Sequence, residues 1–291
     1  MDIPPEAGRT SKPRLRMLHN LARSGGTVIG RCLACMEGVA LLSEIHPRGT
    51  HIFNPLGQAR DWFGLPEPRD ILKLGEAGPI PFDEAIALID RRLRERGLRL
   101  VLRDWSQLDF MGAPVVADPP GHSLLATALE PRFELLRFAT VRHPFDQWLS
   151  CRELPSIAEL PVDRFMRGCR RFAELARETG FLRYEDFCTD PTAAMRRICD
   201  ALDLPFDPTF LDKQASWTRI TGDSPDYGRG DGVVRRLERR PFDPAELARI
   251  ERIPDYRATL ELLGYAPVEP RSTRTASPIS GGSDRCPAPR I

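Results

Sequence analysis

The sequence predicts an α/β fold of three layers, in which a mostly parallel central sheet is flanked by helices. Short apolar runs of strand length alternate along the chain with amphipathic segments of helical period. Several of the apolar runs end in polar residues, as strands do at the carboxyl edge of open sheets that bind ligands. A glycine-containing turn joins the first strand to the first helix. Together these features predict one domain built on a ligand-binding sheet.

Five apolar runs have the length of buried strands and are bounded by polar or glycine-containing turns. The predicted strands are Leu15–Leu21, Gly38–Glu44, Leu98–Leu102, Phe133–Val141 and Phe181–Tyr184. Helical segments separate the strands, which predicts a parallel sheet with helices on both faces. Parallel strands bring their carboxyl ends to one edge of the sheet, where we expect the functional residues.

The clearest predicted helix covers 82–96, where apolar residues recur at helical spacing opposite a row of arginines. The other predicted helices are Val28–Met36, Leu56–Phe63, Ser123–Leu129, Phe145–Cys151, Val162–Thr179, Pro191–Leu202 and Pro244–Leu263. Gly and Pro are frequent over 47–81, which predicts a lid or an excursion on the substrate side. The glycines and aspartates of 221–232 predict a long ordered loop.

A chain of 291 residues is long enough for one large α/β domain with a substantial core. We expect this domain to span 14–268. The segments on either side are rich in Pro and Ser, which predicts a flexible N-terminal arm over 1–13 and a disordered C-terminal tail over 269–291.

The composition limits the classes of partner. Lys and Arg number 42 against 41 Asp and Glu, a net charge of +1, so no global field favours nucleic acid or an anionic membrane. No apolar run approaches the length of about 18 residues that a membrane span needs. The 7 cysteines are odd in number and lack the spacing of a disulfide framework, which predicts a cytoplasmic location. Any binding of anions must therefore be local.

The turn after the first strand has the composition of an anion site. A loop between a strand and a helix directs several backbone N–H groups and the positive end of the helix dipole at one spot. Gly25 and Gly26 let the backbone approach an anion closely, while Arg23, Ser24 and Thr27 supply a guanidinium group and hydroxyls. The sequence therefore predicts a phosphate-binding cradle over residues 23–27.

This cradle differs from a Walker A motif, because no Lys-Ser/Thr pair follows the second glycine. The lysine for the β- and γ-phosphates and the hydroxyl for Mg²⁺ are both missing. Asp104, directly after the third strand, nevertheless resembles a Walker B aspartate. A Mg²⁺-dependent phosphotransferase on the same fold therefore stays open as an alternative function.

A second phosphate motif follows the fourth strand. Arg142 is at the strand end, and Ser150 comes eight residues later in the next helix, so both side chains can reach one phosphate. With these two motifs in order, the sequence resembles the sulfotransferases that use 3'-phosphoadenosine-5'-phosphosulfate (PAPS), which have a P-loop-like α/β fold. The resemblance continues in Leu182–Phe187, in Asp190-Pro191 and in Leu262–Tyr265, and it covers about 14–268.

The resemblance implies roles for the residues that match. Arg23, Ser24, Gly25, Gly26 and Thr27 match the segment that binds the 5'-phosphosulfate, although Gly26 stands where the family usually has Thr. It further implies that Arg142 and Ser150 bind the 3'-phosphate and that Arg229 belongs to a late basic loop over the nucleotide. Such an enzyme transfers a sulfuryl group in line, uses PAPS as its donor and requires no metal.

Sulfuryl transfer also needs a base that removes the proton of the acceptor. The glycosaminoglycan and tyrosyl-protein enzymes use a glutamate at the end of the next strand, which matches Glu44; His46 is the rival. The small-molecule cytosolic enzymes use a His after a later strand, where this chain has Arg103-Asp104-Trp105, so Asp104 is the third candidate. Arg23 is expected to stabilise the leaving group.

The acceptor is not specified by the sequence. Aromatic and apolar residues in 45–81 and 104–122 suit a small-molecule, lipid or glycan acceptor; they are Trp62, Phe63, Trp105, Phe110 and Met111. A non-catalytic module that binds the nucleotide but lacks a working base is the remaining alternative. The sequence leaves a homodimer open.

Overall fold

A computed structural model of the chain describes residues 12–65, 80–114, 116–155, 157–222, 233–236 and 238–269. The structural statements below refer to these residues. Most of the expected arm, the middle of the expected lid, most of the loop over 221–232 and nearly all of the expected tail lie outside them, as does Arg229.

The central sheet of the described residues has five strands. They are β1 (Arg14–Asn20), β2 (Val39–Ile45), β3 (Arg99–Asp104), β4 (Glu134–Val141) and β5 (Phe181–Arg183). The spatial order is β2-β3-β1-β4-β5, and every pairing is parallel. The predicted parallel sheet is therefore confirmed.

The helices alternate with these strands. They are α1 (Gly26–Ala34), α2 (Pro55–Phe63), α3 (Phe82–Glu95), α4 (Gln107–Phe110), α5 (Leu124–Leu129), α6 (Pro144–Cys151), α7 (Val162–Thr179), α8 (Tyr184–Thr189), α9 (Pro191–Ala201), α10 (Phe210–Gln214), α11 (Pro244–Ile250) and α12 (Pro254–Leu263). None of them is both long and apolar enough to cross a membrane.

Successive residues of the strands pack into cores on opposite faces of the sheet. Met17 faces a cluster formed with α2, α3 and α5, whereas Leu18 faces a cluster formed with α1, α9 and α10. A third cluster joins Val141 to α6, α7 and α12. Because both faces are covered, apolar residues occupy successive positions in the strands, as Met17 and Leu18 do, instead of strictly alternating with polar residues. This arrangement gives the predicted three layers.

Two features of the helices differ from the sequence prediction. The single helix expected over Pro244–Leu263 is two helices, because Pro254 lacks an N–H and forces Ile253 into an extended conformation with ψ 120°. The short helices α4, α8 and α10 were not predicted, because four to six residues are too few to show a helical period.

Candidate functional site

The carboxyl ends of β1 and β4 are neighbours in the sheet, with Asn20 beside Thr140. The chain leaves β1 toward β2 on one side of the sheet and leaves β4 toward β5 on the other side. The two loops therefore diverge and form a crevice, the position at which open parallel sheets bind ligands. The predicted anion residues Arg23 and Arg142 follow these two strands.

The N-terminus of α1 is open to an anion. Gly25 precedes the helix in the left-handed conformation, with φ 88°, and no acidic residue is present in the first helical turn. The amides of Gly26, Thr27 and Val28 have no acceptor within the helix, because they belong to its first turn. The positive end of the helix dipole and three N–H groups thus lie at the crevice.

Both glycines of the loop are required by packing. A Cβ atom on Gly25 would overlap the ring of Tyr184, and one on Gly26 would overlap the side-chain amide of Asn20. A threonine in place of Gly26 would therefore displace the side chain of Asn20. The loop reaches its shape through these two close contacts.

The structure brings the two predicted phosphate motifs together. Arg23 Nε donates a hydrogen bond to Ser150 Oγ at 2.9 Å, and Arg142 Nη1 donates to the carbonyl oxygen of Arg23 at 3.1 Å. Arg142 also lies over the ring of Tyr184, 5.4 Å from its centroid. Burial lowers the pKa of Arg23, but an arginine keeps its charge at neutral pH. The Arg23 and Arg142 side chains therefore both lie at the loop after β1, close enough for the charge of Arg142 to contribute to the lowered pKa of Arg23.

The two hydroxyls of the loop have different partners. Ser24 is buried, and its Oγ donates to the carbonyl oxygen of Leu21 at 2.7 Å, so this hydroxyl holds the turn itself. Thr27 is half-buried, and its Oγ1 lies 3.5 Å from the carbonyl oxygen of Gly222. Of the two, Thr27 offers the hydroxyl that is accessible from the crevice.

Glu44 lies at a break in the ladder between β2 and β3. The register shifts between Ser43 and Ile45, and Glu44 takes the left-handed conformation with φ 56°, which is uncommon for a residue other than glycine. Its side chain is 18% exposed. Such outliers persist when the surrounding structure enforces them, and they concentrate at functional sites.

Glu44 and Thr27 approach the same residue from β2 and α1. A Cβ atom built on Gly222 would lie 3.0 Å from Glu44 Oε1 and 3.4 Å from Thr27 Oγ1. The carboxylate therefore faces the first turn of α1 across Gly222. Of the three predicted bases, this one lies beside the anion loop.

His46 is buried, with no exposed surface. Its Nε2 is 3.0 Å from Asp109 Oδ1, and its Nδ1 accepts a hydrogen bond from the backbone N–H of Arg48. Nε2 therefore carries the ring proton and donates it to Asp109. Both ring nitrogens are occupied in holding the turn after β2.

Asp104 is also buried, and its Oδ2 accepts hydrogen bonds from three side chains. His19 Nδ1 lies at 2.7 Å, Ser106 Oγ at 2.8 Å and Ser123 Oγ at 3.4 Å. Burial acts to raise the pKa of Asp104, but the hydrogen bond and charge of His19, together with His46 and the hydrogen bond from Ser106, outweigh this effect and lower that pKa. The residue predicted as a Walker B-like aspartate thus belongs to a buried polar cluster.

The site contains one charged residue to which the sequence analysis assigned no role. Arg103, at the end of β3, is 2% exposed, and its guanidinium group bonds to Ser43 and Thr221. Its Nη2 also lies 3.7 Å from Glu44 Oε1. The sequence signal that could have identified Arg103 is the presence of an arginine at the end of an apolar strand, at the edge of the sheet where ligands bind.

The residues expected to line an acceptor pocket fall into two groups. Phe110 and Met111 are buried in the core under α7, so the expectation that they line the pocket is wrong. Trp105 is half-buried and packs edge-on against Phe53, with 4.9 Å between ring centroids. Trp62 and Phe63 are half-buried against the core of α2 and α3.

The fold is that of solved sulfotransferase domains. The sulfotransferase domain from the olefin synthase of Synechococcus PCC 7002 aligns with a TM-score of 0.59 at 19% identity, over 89% of this chain and 98% of that chain. The sulfotransferase domain from the curacin biosynthetic pathway aligns with a TM-score of 0.57 at 15% identity, over 88% and 99%. The expected likeness to sulfotransferases is therefore confirmed at the level of the fold.

Other comparisons add little. Mouse sulfotransferase SULT7A1 complexed with PAP aligns with a TM-score of 0.41 at 12% identity, over 87% of this chain and 89% of that chain, which is too weak to support an inference. No protein-family model matches the sequence, and no curated protein sequence matches it. The chemistry must therefore be inferred from the site.

Proposed function

We propose that this protein is a sulfotransferase that moves a sulfuryl group from PAPS to a hydroxyl or amine of an acceptor. The observation that carries the proposal is the hydrogen bond from Arg23 to Ser150, together with the bond from Arg142 to the carbonyl oxygen of Arg23. These contacts join the two predicted phosphate motifs. A nucleotide that carries phosphate groups at two positions suits such a site, and the shared fold supports the same reading.

The chemistry of the donor set fits this nucleotide. Two guanidinium groups, the free amides of α1 and the hydroxyls of Thr27 and Ser150 are hydrogen-bond donors, and charged donors of this kind bind phosphate and sulfate oxygens strongly. PAPS, when bound, would supply the sulfuryl group and a phosphate leaving group. Arg23, Thr27 and the helix amides can then stabilise the charge that develops on the leaving group.

Glu44 is the proposed base. A base must reach the proton that it removes, and the Glu44 carboxylate is partly exposed beside the anion loop. His46 and Asp104 are buried, and their side chains are engaged with Asp109 and His19. The positive φ of Glu44 turns its side chain out of the strand pattern, which is consistent with a residue held for chemistry.

The proposed acceptor is a small molecule, lipid or glycan that presents a hydroxyl or amine. The half-buried pair of Trp105 and Phe53 lies close to the end of β2, since the N–H of Trp105 donates to the carbonyl oxygen of Ile45 at 3.3 Å. Aromatic surface next to the proposed base can hold the apolar part of a phenol, a lipid or a sugar ring.

Calorimetric titration of the purified protein in EDTA tests the proposal. We expect adenosine 3',5'-bisphosphate to bind at least about tenfold more tightly than ADP, because only the bisphosphate carries the 3'-phosphate for a charged hydrogen bond. Absence of bisphosphate binding would contradict the proposal. Binding of ADP or ATP only after Mg²⁺ is restored would favour the phosphotransferase alternative. Bisphosphate binding without transfer to any tested acceptor would favour the non-catalytic module.

Arg142→Ala tests the 3'-phosphate contact. We expect this substitution to weaken binding of the bisphosphate by about 1.5 to 3 kcal/mol, the range for hydrogen bonds to charged groups. Arg91→Ala, which removes an exposed arginine from α3, is the matched control and should leave affinity unchanged. Equal affinity of the Arg142 variant and the wild type would remove Arg142 from the nucleotide site.

A further inference from the structure

Arg103 is a buried cation beside the proposed base. Its guanidinium group donates to Ser43 Oγ at 2.6 and 3.0 Å, to the carbonyl oxygen of Thr221 at 2.8 Å and to Thr221 Oγ1 at 3.3 Å. Glu44 Oε1 lies 3.7 Å from Arg103 Nη2. Burying a cation is costly unless it is paired and hydrogen-bonded, so this geometry needs all of these acceptors.

The Ser43 hydroxyl is the centre of this arrangement. Besides the two bonds from Arg103, Ser43 Oγ lies 2.8 Å from Thr221 Oγ1 and accepts from the N–H of Thr221 at 3.2 Å. One hydroxyl thus joins β2, β3 and the segment that begins at Thr221. We call the three residues Ser43, Arg103 and Thr221 the Arg103 clamp.

The clamp lies directly next to the strained residue of the site. Ser43 precedes Glu44 in β2, and Thr221 precedes Gly222, where a built Cβ atom would lie 3.0 Å from Glu44 Oε1 and 3.4 Å from Thr27 Oγ1. Fixing Ser43 and Thr221 therefore fixes the backbone on both sides of the carboxylate. The positive φ of Glu44 requires such support, because an unconstrained residue of this type would leave that conformation.

We infer that Arg103 is a positioning residue that holds the Glu44 carboxylate beside the anion loop through Ser43 and Thr221. The inference rests on the proposed function, in which Glu44 is the base. Arg103 does not need to contact the donor or the acceptor for this role. Its effect on the reaction must then pass through Glu44.

A double-mutant cycle tests whether Arg103 acts through Glu44. The variants are Arg103→Met, Glu44→Gln and the combination of both, and the readout is the rate of conversion of PAPS to adenosine 3',5'-bisphosphate with water as the acceptor. We expect Arg103→Met to slow this conversion at least about tenfold and to add nothing to the loss caused by Glu44→Gln. Arg103→Lys should recover part of the rate, because a lysine can still donate to Ser43 or Thr221. Additive losses would overturn the inference.

Hydrogen exchange at the amide of Thr221 tests the clamp without any donor or acceptor. In the wild type this N–H is bonded to Ser43 Oγ, so we expect Arg103→Met to raise its exchange rate at least about tenfold. Ser43→Ala is a smaller change that removes the acceptor itself, and it should act in the same direction even if Arg103→Met fails to fold. Unchanged exchange in folded variants would overturn the inference.

Titration with the bisphosphate separates the two proposals. The affinities of Arg103→Met and the wild type should agree, and a loss of more than about tenfold would make Arg103 a donor-binding residue and overturn its positioning role. A wild type that fails to bind the bisphosphate, while Arg103→Met still raises the exchange rate at the amide of Thr221, would contradict the proposed function and would support the clamp.

Discussion

Glu44 and Asp104 are carboxylates at the ends of neighbouring strands, and Ile45 pairs directly with Asp104. Their environments differ sharply. The Asp104 side chain has no exposed surface and is bonded to His19, whereas the Glu44 side chain is 18% exposed and lies 3.7 Å from Arg103. Of two acidic residues at one edge of the sheet, Asp104 therefore belongs to a buried structural cluster, whereas the Glu44 carboxylate is accessible to a ligand. Burial and hydrogen bonding distinguish them, and position in the strand does not.

The cluster around Asp104 also orders its own histidine. Arg137 Nε donates to His19 Nε2 at 3.3 Å, so the proton of His19 is on Nδ1 and points at Asp104. Such a buried network is worth most when all members are present. Among the residues that the structure describes, the Glu44 carboxylate has no comparable set of donors, and the backbone of Glu44 is strained. The contrast predicts that substitution of Glu44 mainly lowers turnover, whereas substitution of Asp104 mainly lowers stability.

The largest effect is expected from Glu44→Gln. Loss of the proposed base should slow transfer by about 10²- to 10⁴-fold, the usual contribution of general base catalysis. The affinity for adenosine 3',5'-bisphosphate should be retained, because Glu44 lies at the acceptor side, whereas the free energy of unfolding should fall modestly, because the amide removes the charge that is paired with buried Arg103. Glu178→Gln, at an exposed position on α7, is the control, and both should be measured by donor turnover and urea unfolding. A stable variant with wild-type turnover would remove Glu44 as the base.

The next effect is expected from Asp104→Asn, on stability. The substitution replaces the charged acceptor of the His19 N–H and of the two serine hydroxyls by a neutral amide, and we expect the free energy of unfolding to fall by about 1.5 to 3 kcal/mol at pH 7, the range for hydrogen bonds to charged groups. Urea unfolding of the variant and the wild type measures this difference. Equal stabilities would show that the Asp104 cluster is not structural and would reopen its candidacy as a catalytic residue.

The difference in unfolding free energy between the wild type and Asp104→Asn should depend on pH. The pKa of Asp104 is lowered in the folded state, so its contribution to stability is complete above about pH 4, the pKa of an unfolded aspartate. That contribution is lost as pH falls through the folded pKa. The difference in unfolding free energy between wild type and variant should therefore shrink at low pH.

The smallest effect is expected in the difference in stability between glycine and alanine variants at positions 44 and 104. At Glu44 only glycine relieves the left-handed conformation, so Glu44→Gly should be more stable than Glu44→Ala by about 1 kcal/mol. At Asp104, which is in a regular strand, the order should reverse by about 0.5 to 1 kcal/mol. Thermal unfolding of the four variants decides this. The same order of stability for glycine and alanine at both positions would contradict the difference in backbone conformation between Glu44 and Asp104.

The sequence could predict the sheet because local patterns carry that information. Apolar runs and glycine turns gave strands close to their observed bounds, and the spacing of Arg142 and Ser150 identified residues that converge with Arg23. The contrast between Glu44 and Asp104 was not predictable, because it depends on contacts between distant residues. Ser43 and Thr221 are 178 positions apart, and Asp104 and His19 are 85 apart. No local pattern encodes such pairings.

Two supports of the site, Thr221 and Glu246, come later in the chain than the anion loop, Glu44 and Ser150. The anion loop, Glu44 and Ser150 all occur by residue 150, yet Thr221 completes the clamp, and α6 is held by Glu246 through Trp148 and Arg152. A ribosome adds about 5 to 20 residues per second, so the binding residues exist for several seconds before these two supports are made. During synthesis the nascent protein would carry these motifs while the proposed site is still unassembled.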